Sequence, residues 1–237
     1  MIAARALVFG GTGAVGSEVL RGLARANIAT AFTYHRSRDA ALALAADLSS
    51  TPLQVDLRDF AAVRELIRGL DREGCAPDVF IHCAGVSRAA KLAEVTDEDW
   101  EVASAVNCRS AFVACQELAP ILARRGEGHI VLIGAMDRSQ SLPMPVHFAA
   151  TQGMLAAMTM ALAKELGPSG TRVNMVALGV LDRGISRDLD PRLLADYQSF
   201  SALRRVGTPQ EAARAILWLA LQNRYMSGQV LAVNGGI

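Results

Sequence analysis

Short apolar runs recur at Ala6–Phe9, Thr30–Tyr34, Leu53–Val55, Val79–Cys83, His129–Ile133, Arg172–Ala177 and Val230–Val233, with longer stretches of helical periodicity between them. Runs this short and this continuous predict strands covered on both faces. Their alternation with helices predicts a parallel sheet, because right-handed crossovers place helices on each side of it. The expected fold is α/β: a single doubly wound domain over residues 1–237, built on a seven-stranded parallel sheet, with no linker, repeat or low-complexity tract. Ligands of such sheets lie beyond the carboxyl ends of the strands. The segments Gly10–Gly16, Tyr34–Ser37, Asp56–Leu57, Cys83–Ser87, Gly134–Ser141 and Leu178–Ser186 should therefore converge on one edge.

The first of these segments carries a specific chemistry. A strand runs into Phe9-Gly10-Gly11-Thr12-Gly13-Ala14-Val15-Gly16, and a helix is expected from about Val15 to Ala26. Glycine at 10, 13 and 16 permits a tight turn and close approach of backbone to a pyrophosphate, with the N–H groups of the helix start facing the phosphates. Gly10, Thr12, Gly13, Val15 and Gly16 are thus candidate dinucleotide contacts, and a purely structural glycine turn is the alternative. Roughly 20 residues on, where an acid would bind a ribose 2′-hydroxyl, the chain has Thr33-Tyr34-His35-Arg36-Ser37. Arg36 can fork onto a 2′-phosphate and Ser37 can add a hydroxyl, which favours NADP(H) over NAD(H). Alternatively, Arg36 and Arg38 are ordinary solvated charges.

Composition narrows the rest. The 237 residues are 51% hydrophobic, enough for one large core, and 24 basic against 23 acidic residues leave a net charge of +1. The basic residues are scattered, so neither nucleic acid nor an anionic membrane is an expected partner. Cys75, Cys83, Cys108 and Cys115 show no C-x-x-C pairing, and Met1 leads into a strand without the regions of a signal peptide; reduced thiols and a cytoplasmic location are expected. No metal site is expected. No apolar run is read as reaching the ~18 residues of a membrane span.

With these pieces in place the chain resembles the short-chain dehydrogenase/reductase family, a Rossmann-type fold, and within it the 3-oxoacyl-acyl carrier protein reductases. The resemblance spans nearly the full length. Asp56-Leu57 matches the adenine-contacting pair, Cys83-Ala84-Gly85 stands where the family has Asn-Ala-Gly, and Asp97-Glu98-Asp99-Trp100 leads to Asn107, a member of the family's catalytic tetrad. Gly128–Gly134 matches the strand before the catalytic serine. Arg172-Val173-Asn174, Ala177-x-Gly179, Arg205–Glu211, Ser227-Gly228-Gln229 and Val233–Gly236 match the C-terminal landmarks. The resemblance implies cofactor contacts at Ala84, Gly85 and Gln152.

It also exposes a contradiction. The family places a serine thirteen residues before a Tyr-x-x-x-Lys, and that spacing survives here from 135 to 148 to 152, but the residues are Ala135, Phe148 and Gln152. In the family the tyrosine is the general acid, the lysine lowers its pKa and holds the nicotinamide ribose, and the serine orients the carbonyl. Phe148 has no exchangeable proton, Gln152 brings no charge, and Ala135 offers no hydroxyl. Smaller departures are Ala14 in the glycine turn, Phe9 for its threonine, His82-Cys83 for Asn-Asn, and Leu178-Gly179 for Pro-Gly.

Substitute acids are His147, whose pKa suits neutral pH, and Asp137, with His82 and Cys83 ending the fourth strand nearby. Each has a plainer reading. On a helix His147 points about 100° from Phe148 and is better read as a surface or interface histidine; Asp137 is then a solvated loop acid and Cys83 a small buried strand residue. Three classes of function stay open: a non-standard NADPH reductase of a ketone or acyl thioester, a non-catalytic subunit paired with an active relative, and a lyase or isomerase reusing the pocket. The helix Pro145–Leu166, with Met154, Leu155, Met158, Met160, Leu162 and Leu166, is apolar around too much of its circumference to have one solvent face, and predicts a homo-oligomer, dimer or tetramer, or a hetero-oligomer with an intact relative.

Overall fold

The computed structural model of the protein describes residues 5–135 and 143–237. Seven strands form one wholly parallel sheet: β1 (Arg5–Phe9), β2 (Ala29–Tyr34), β3 (Thr51–Gln54), β4 (Val79–His82), β5 (Gly128–Gly134), β6 (Thr171–Leu178) and β7 (Val230–Val233), in the order β3-β2-β1-β4-β5-β6-β7. The order reverses beside β1, so the carboxyl ends of β1 and β4 flank a crevice, the usual ligand position in a doubly wound sheet.

Alternation along the strands explains the layers. In β1, Leu7 and Phe9 face one core with Phe80, Ile130, Leu132 and Met175, while Ala6 and Val8 face the other with Phe32, Ile81, Val131 and Val176. The first core is closed by α3 (Phe60–Arg72), α5 (Ser110–Arg125) and α6 (Val146–Leu166), the second by α1 (Ala14–Arg25), α2 (Arg38–Leu48) and α8 (Pro209–Leu217). Two shorter helices, α4 (Asp97–Ala103) and α7 (Pro191–Phe200), flank the strand ends.

The third strand lies two residues before the expected Leu53–Val55. Pro52 has no N–H to give a ladder, but β3 is an edge strand, where proline costs little, and pairs through Phe32↔Pro52. A second correction concerns α6. The stretch Val146–Ser169 is long and apolar enough, by length and composition, to cross a membrane, contrary to the expectation that no run is. Packing explains it: α6 lies against β6 and β5, burying Leu155 and Leu166, while Val146, Met154 and Met160 stay on its open side.

Two histidines sit in the sheet without charge. His82 is fully buried, its ring against Phe9 and Phe80, and burial holds its pKa down to about 4. His129 is pushed down to about 4 by burial and by Arg172 and Arg224 beside it. The unfolded chain takes up these protons below about 6.5 and the folded chain does not. Stability should therefore hold above pH 6.5 and fall between about 6.5 and 4, by ~1.4 kcal/mol per unit of depression for each group. Denaturant midpoints against pH would measure this. His82→Phe, which keeps the aromatic packing, should flatten that limb, and an unchanged slope would refute the assignment.

Candidate functional site

The glycine turn is built as a contact between backbones. Gly10 sits at φ +77°, and a Cβ there would lie 2.8 Å from the N and Cα of Ala84; a Cβ on Gly16 would lie 2.2 Å from the Gly10 carbonyl oxygen. Glycine is required at both positions so that the β1–α1 turn can lie against the end of β4 while α1 packs close behind it. Thr33 supports the turn, its Oγ1 accepting from Gly10 N at 3.1 Å and its carbonyl from Gly11 N at 3.0 Å. Gly13 caps α1 without a side chain, no acid lies in the first turn, and the first bond within the helix is Ser17 N to Gly13 O. The N–H groups of Ala14, Val15 and Gly16 thus have no partner within the helix, an arrangement suited to phosphate. Thr12 is half-buried in the same turn.

Beyond β2 and β3 lie the residues expected to meet the adenosine. Arg36 and Ser37 are exposed, with Ser37 at the N-cap of α2 but not spending its hydroxyl on the cap. Asp56 is held by Arg58, which donates from Nε and Nη2 to its carboxylate, at 2.6 Å for Nη2, and holds its pKa down to about 2; His35 is 3.6 Å away. Leu57 is buried beside it. These four lie on the expected edge but do not line the enclosed part of the site.

The enclosed part is a cleft of about 590 Å³, lined by Gly13, Ala14 and Val15 at one end and by Ala84, Gly85, Asn107, Ala135, Phe148 and Gln152 at the centre. The far wall is apolar and comes from Pro143–Pro145 and the segment after β6, where Leu178, Val180, Leu181, Ile185, Leu189 and Leu193 face inward. This segment acts as a strap across the cleft. A Cβ on Gly184 would meet Ala14 at 3.2 Å, and one on Gly85 would meet Ile185 at 3.3 Å.

A chain of hydrogen bonds fixes the centre. Asn107, in a wide π turn (Ser104–Arg109) between α4 and α5, accepts from Val86 N at 2.8 Å and donates to Val86 O at 2.9 Å and to Thr151 Oγ1 at 3.0 Å. Thr151 in turn donates to Phe148 O and accepts from Gln152 Nε2 at 3.0 Å, and Gln152 Oε1 accepts from Ala135 N at 3.0 Å. Gln152 is buried and keeps one Nε2 hydrogen for a ligand. Thr151 was not among the expected residues: a threonine on a helix gives no sign in sequence of its partners.

The substitute acids fare differently. His147, expected at the surface or in an interface, is 2% exposed on the single chain, because α4 packs against α6 and encloses it. It lines a separate cavity with Arg88, Glu98 and Asp99 and is absent from the lining of the cleft. His82 is equally removed: it lies 2.8 Å from the Oγ of Ser110, which donates to Val106 O and so accepts from His82 Nε2. Cys83 does line the cleft, but burial pushes its thiol up to about 12. Asp137 lies outside the described residues.

Residues 12–237 match the family described as enoyl-(acyl carrier protein) reductase. Among proteins of assigned activity, the chain is similar to the 3-oxoacyl-[acyl-carrier-protein] reductase FabG of Thermotoga maritima, 29% identical over 187 residues, covering 78% of this chain and 76% of that protein. It is likewise 29% identical to the 3-oxoacyl-[acyl-carrier-protein] reductase MabA of Mycobacterium tuberculosis over 232 residues, covering 98% of this chain and 91% of that one. Among solved structures, a double mutant of a Serratia marcescens short-chain dehydrogenase/reductase superposes with a TM-score of 0.88 at 30% identity, covering 98% of this chain and 97% of that one.

Proposed function

The chain belongs to the short-chain dehydrogenase/reductase family, on an oxidoreductase scaffold related to the 3-oxoacyl-[acyl-carrier-protein] reductases, and we propose that it binds NADP(H) and an apolar carbonyl or acyl-thioester ligand without the acid machinery of a ketone reductase. The observation that carries this reading is the centre of the cleft, where Ala135, Phe148 and Gln152 offer no acid and Gln152 is bound to the backbone of Ala135. A positioned acid contributes about 10²–10⁴-fold to such a reaction, and stabilisation of the forming oxyanion about 10²–10³-fold. Of the nearby titratable groups, His147 and His82 do not line the cleft, and the Cys83 thiol is too weak an acid to supply the proton readily. The nicotinamide cofactor, when bound, supplies or accepts hydride. Gln152 would hold a ribose hydroxyl, and the strap would exclude water.

The preference for NADP(H) rests on Arg36 and the uncommitted hydroxyl of Ser37 at the start of α2, with Asp56 already paired to Arg58. Assembly is part of the same proposal. Phe112 on α5 and Val146, Met154 and Met160 on α6 are 47%, 50%, 39% and 42% exposed on a single chain, an apolar row suited to a second subunit. A subunit lacking its acid gains a role by pairing, with itself or with an intact relative. The second reading, a reductase drawing its proton from water or Asp137, is favoured by the open volume of the cleft and is separated by turnover alone.

NADPH should quench or enhance fluorescence at lower concentration than NADH, and Arg36→Ala should shrink the difference by removing a charge-assisted bond of about 1.5–3 kcal/mol. Equal affinities in the unmodified protein, or no binding of either cofactor, would count against this reading. The combined variant Ala135→Ser, Phe148→Tyr, Gln152→Lys should raise NADPH-dependent reduction of a 3-oxoacyl thioester by at least ~10²-fold, while each single change does little, since the three act as a unit. An inert triple variant that still binds NADPH would argue against a latent ketoreductase pocket, and an unmodified protein turning over at ordinary reductase rates would establish the second reading. Sedimentation at micromolar concentration should give a dimer or tetramer; a 25.1 kDa monomer would remove the assembly proposal.

A further inference from the structure

Among the described residues lining the cleft, Arg183 is the only cation. It belongs to the strap, whose path is pinned on both sides: Asp182 N donates to Gly207 O at 3.0 Å, Gly207 N donates to Val180 O at 3.0 Å, and Gly184 rests against Ala14. The Arg183 guanidinium donates from Nη2 to Gln210 Oε1 at 3.2 Å, and Gln210 donates to Glu18 Oε1 at 2.9 Å, one turn into α1. Its Nε forms an exposed ion pair with Asp182 at 3.6 Å, beyond hydrogen-bond reach, so Nε and Nη1 have no hydrogen-bond acceptor among the described residues. The strap therefore carries a charged fork with unused donors to the end of the cleft where the first turn of α1 presents three N–H groups with no partner among the described residues.

We infer that Arg183 is the cationic half of a two-sided diphosphate clamp, the helix start being the other half, so that the dinucleotide is gripped between α1 and the strap. The inference rests on the cofactor reading above and adds a second point of charge recognition to it. A planar guanidinium suits this job because it can give two parallel N–H bonds to one phosphate, and its charge adds to the field of the helix start. The division of labour with Arg36 follows from chemistry. The 2′-phosphate belongs only to NADP(H), whereas the diphosphate is common to both cofactors. Arg36 should set the choice between them, and Arg183 the affinity for either.

The test is a fluorescence titration of NADPH and NADH on the full chain, unmodified and as Arg183→Gln, Arg36→Ala and Gln210→Ala. Arg183→Gln should weaken both cofactors by a similar factor, about 10- to 100-fold, leave their ratio unchanged, and lower the dependence of affinity on salt. Arg36→Ala should collapse the ratio while leaving NADH close to its original affinity. Gln210→Ala removes the strap's hydrogen bond without removing the charge and should change either affinity less than about threefold. If NADPH binds the unmodified protein and Arg183→Gln matches it, the clamp is refuted while the cofactor reading stands. If Gln210→Ala reproduces the full loss, Arg183 only anchors the strap, and the clamp is again refuted. Failure of the unmodified protein to bind either cofactor overturns both readings together.

Discussion

The approach of the β1–α1 turn to the end of β4 is the constraint on which the site depends. Two backbones meet there with no room for a methyl group on either Gly10 or Gly16. That approach aims the start of α1 into the cleft, sets Ala84 and Gly85 as its floor, and gives the strap Ala14 to rest on. Any larger residue at 10 would have to displace the backbone of Ala84 and adopt a positive φ as well, so the geometry of the helix start and the packing of the sheet cannot be changed separately.

Around this turn the departures from the family pattern compensate one another. Phe9 and His82 are partners across β1 and β4, and their rings pack with Phe80 in tilted and edge-to-face contacts inside the core, while Ser110 takes up the histidine N–H. Polar residues at such a position need hydrogen bonds to be tolerated; an aromatic cluster needs only shape. The same holds at the centre of the cleft, where Gln152 satisfies the N–H of Ala135 and reaches Thr151, which meets Asn107. The centre of the cleft thus carries a hydrogen-bond chain from Asn107 to Ala135 and no titratable side chain at positions 135, 148 and 152.

The seven-stranded parallel sheet and the glycine turn were legible because period and turn chemistry are local properties of the sequence. The spacing from 135 to 148 to 152 was legible too, since a helix converts four residues into one face. What escaped depends on neighbours distant in sequence. Helical geometry turned His147 away from Phe148 as expected, but only the placement of α4 decided that this direction is interior. β3 starts at Thr51, before the expected Leu53, because an edge strand accommodates Pro52, and its edge position is not written in the sequence nearby. Arg183 had no signal of its own, being one arginine in a loop whose path is set by Gly207 and Ala14.

A buried lysine beside a phenol is a demanding arrangement for a folded chain. Its charge is desolvated, it must be compensated by partners, and in many enzymes such a site lowers stability for the sake of reactivity. Gln152, Phe148 and Ala135 present instead one buried amide with both its oxygen and a hydrogen bonded, one buried apolar ring and one half-buried methyl group. Of these three positions only Gln152 is among the groups that would hold the dinucleotide, where an amide can still meet a ribose hydroxyl; the others lie on the glycine turn, at the ends of β2 and β4, and on the strap. Most of the groups suited to a dinucleotide therefore lie on other elements than positions 135, 148 and 152, so a change at one set need not alter the other. The fold alone therefore does not decide what this cleft does; that is decided by the side chains at its centre.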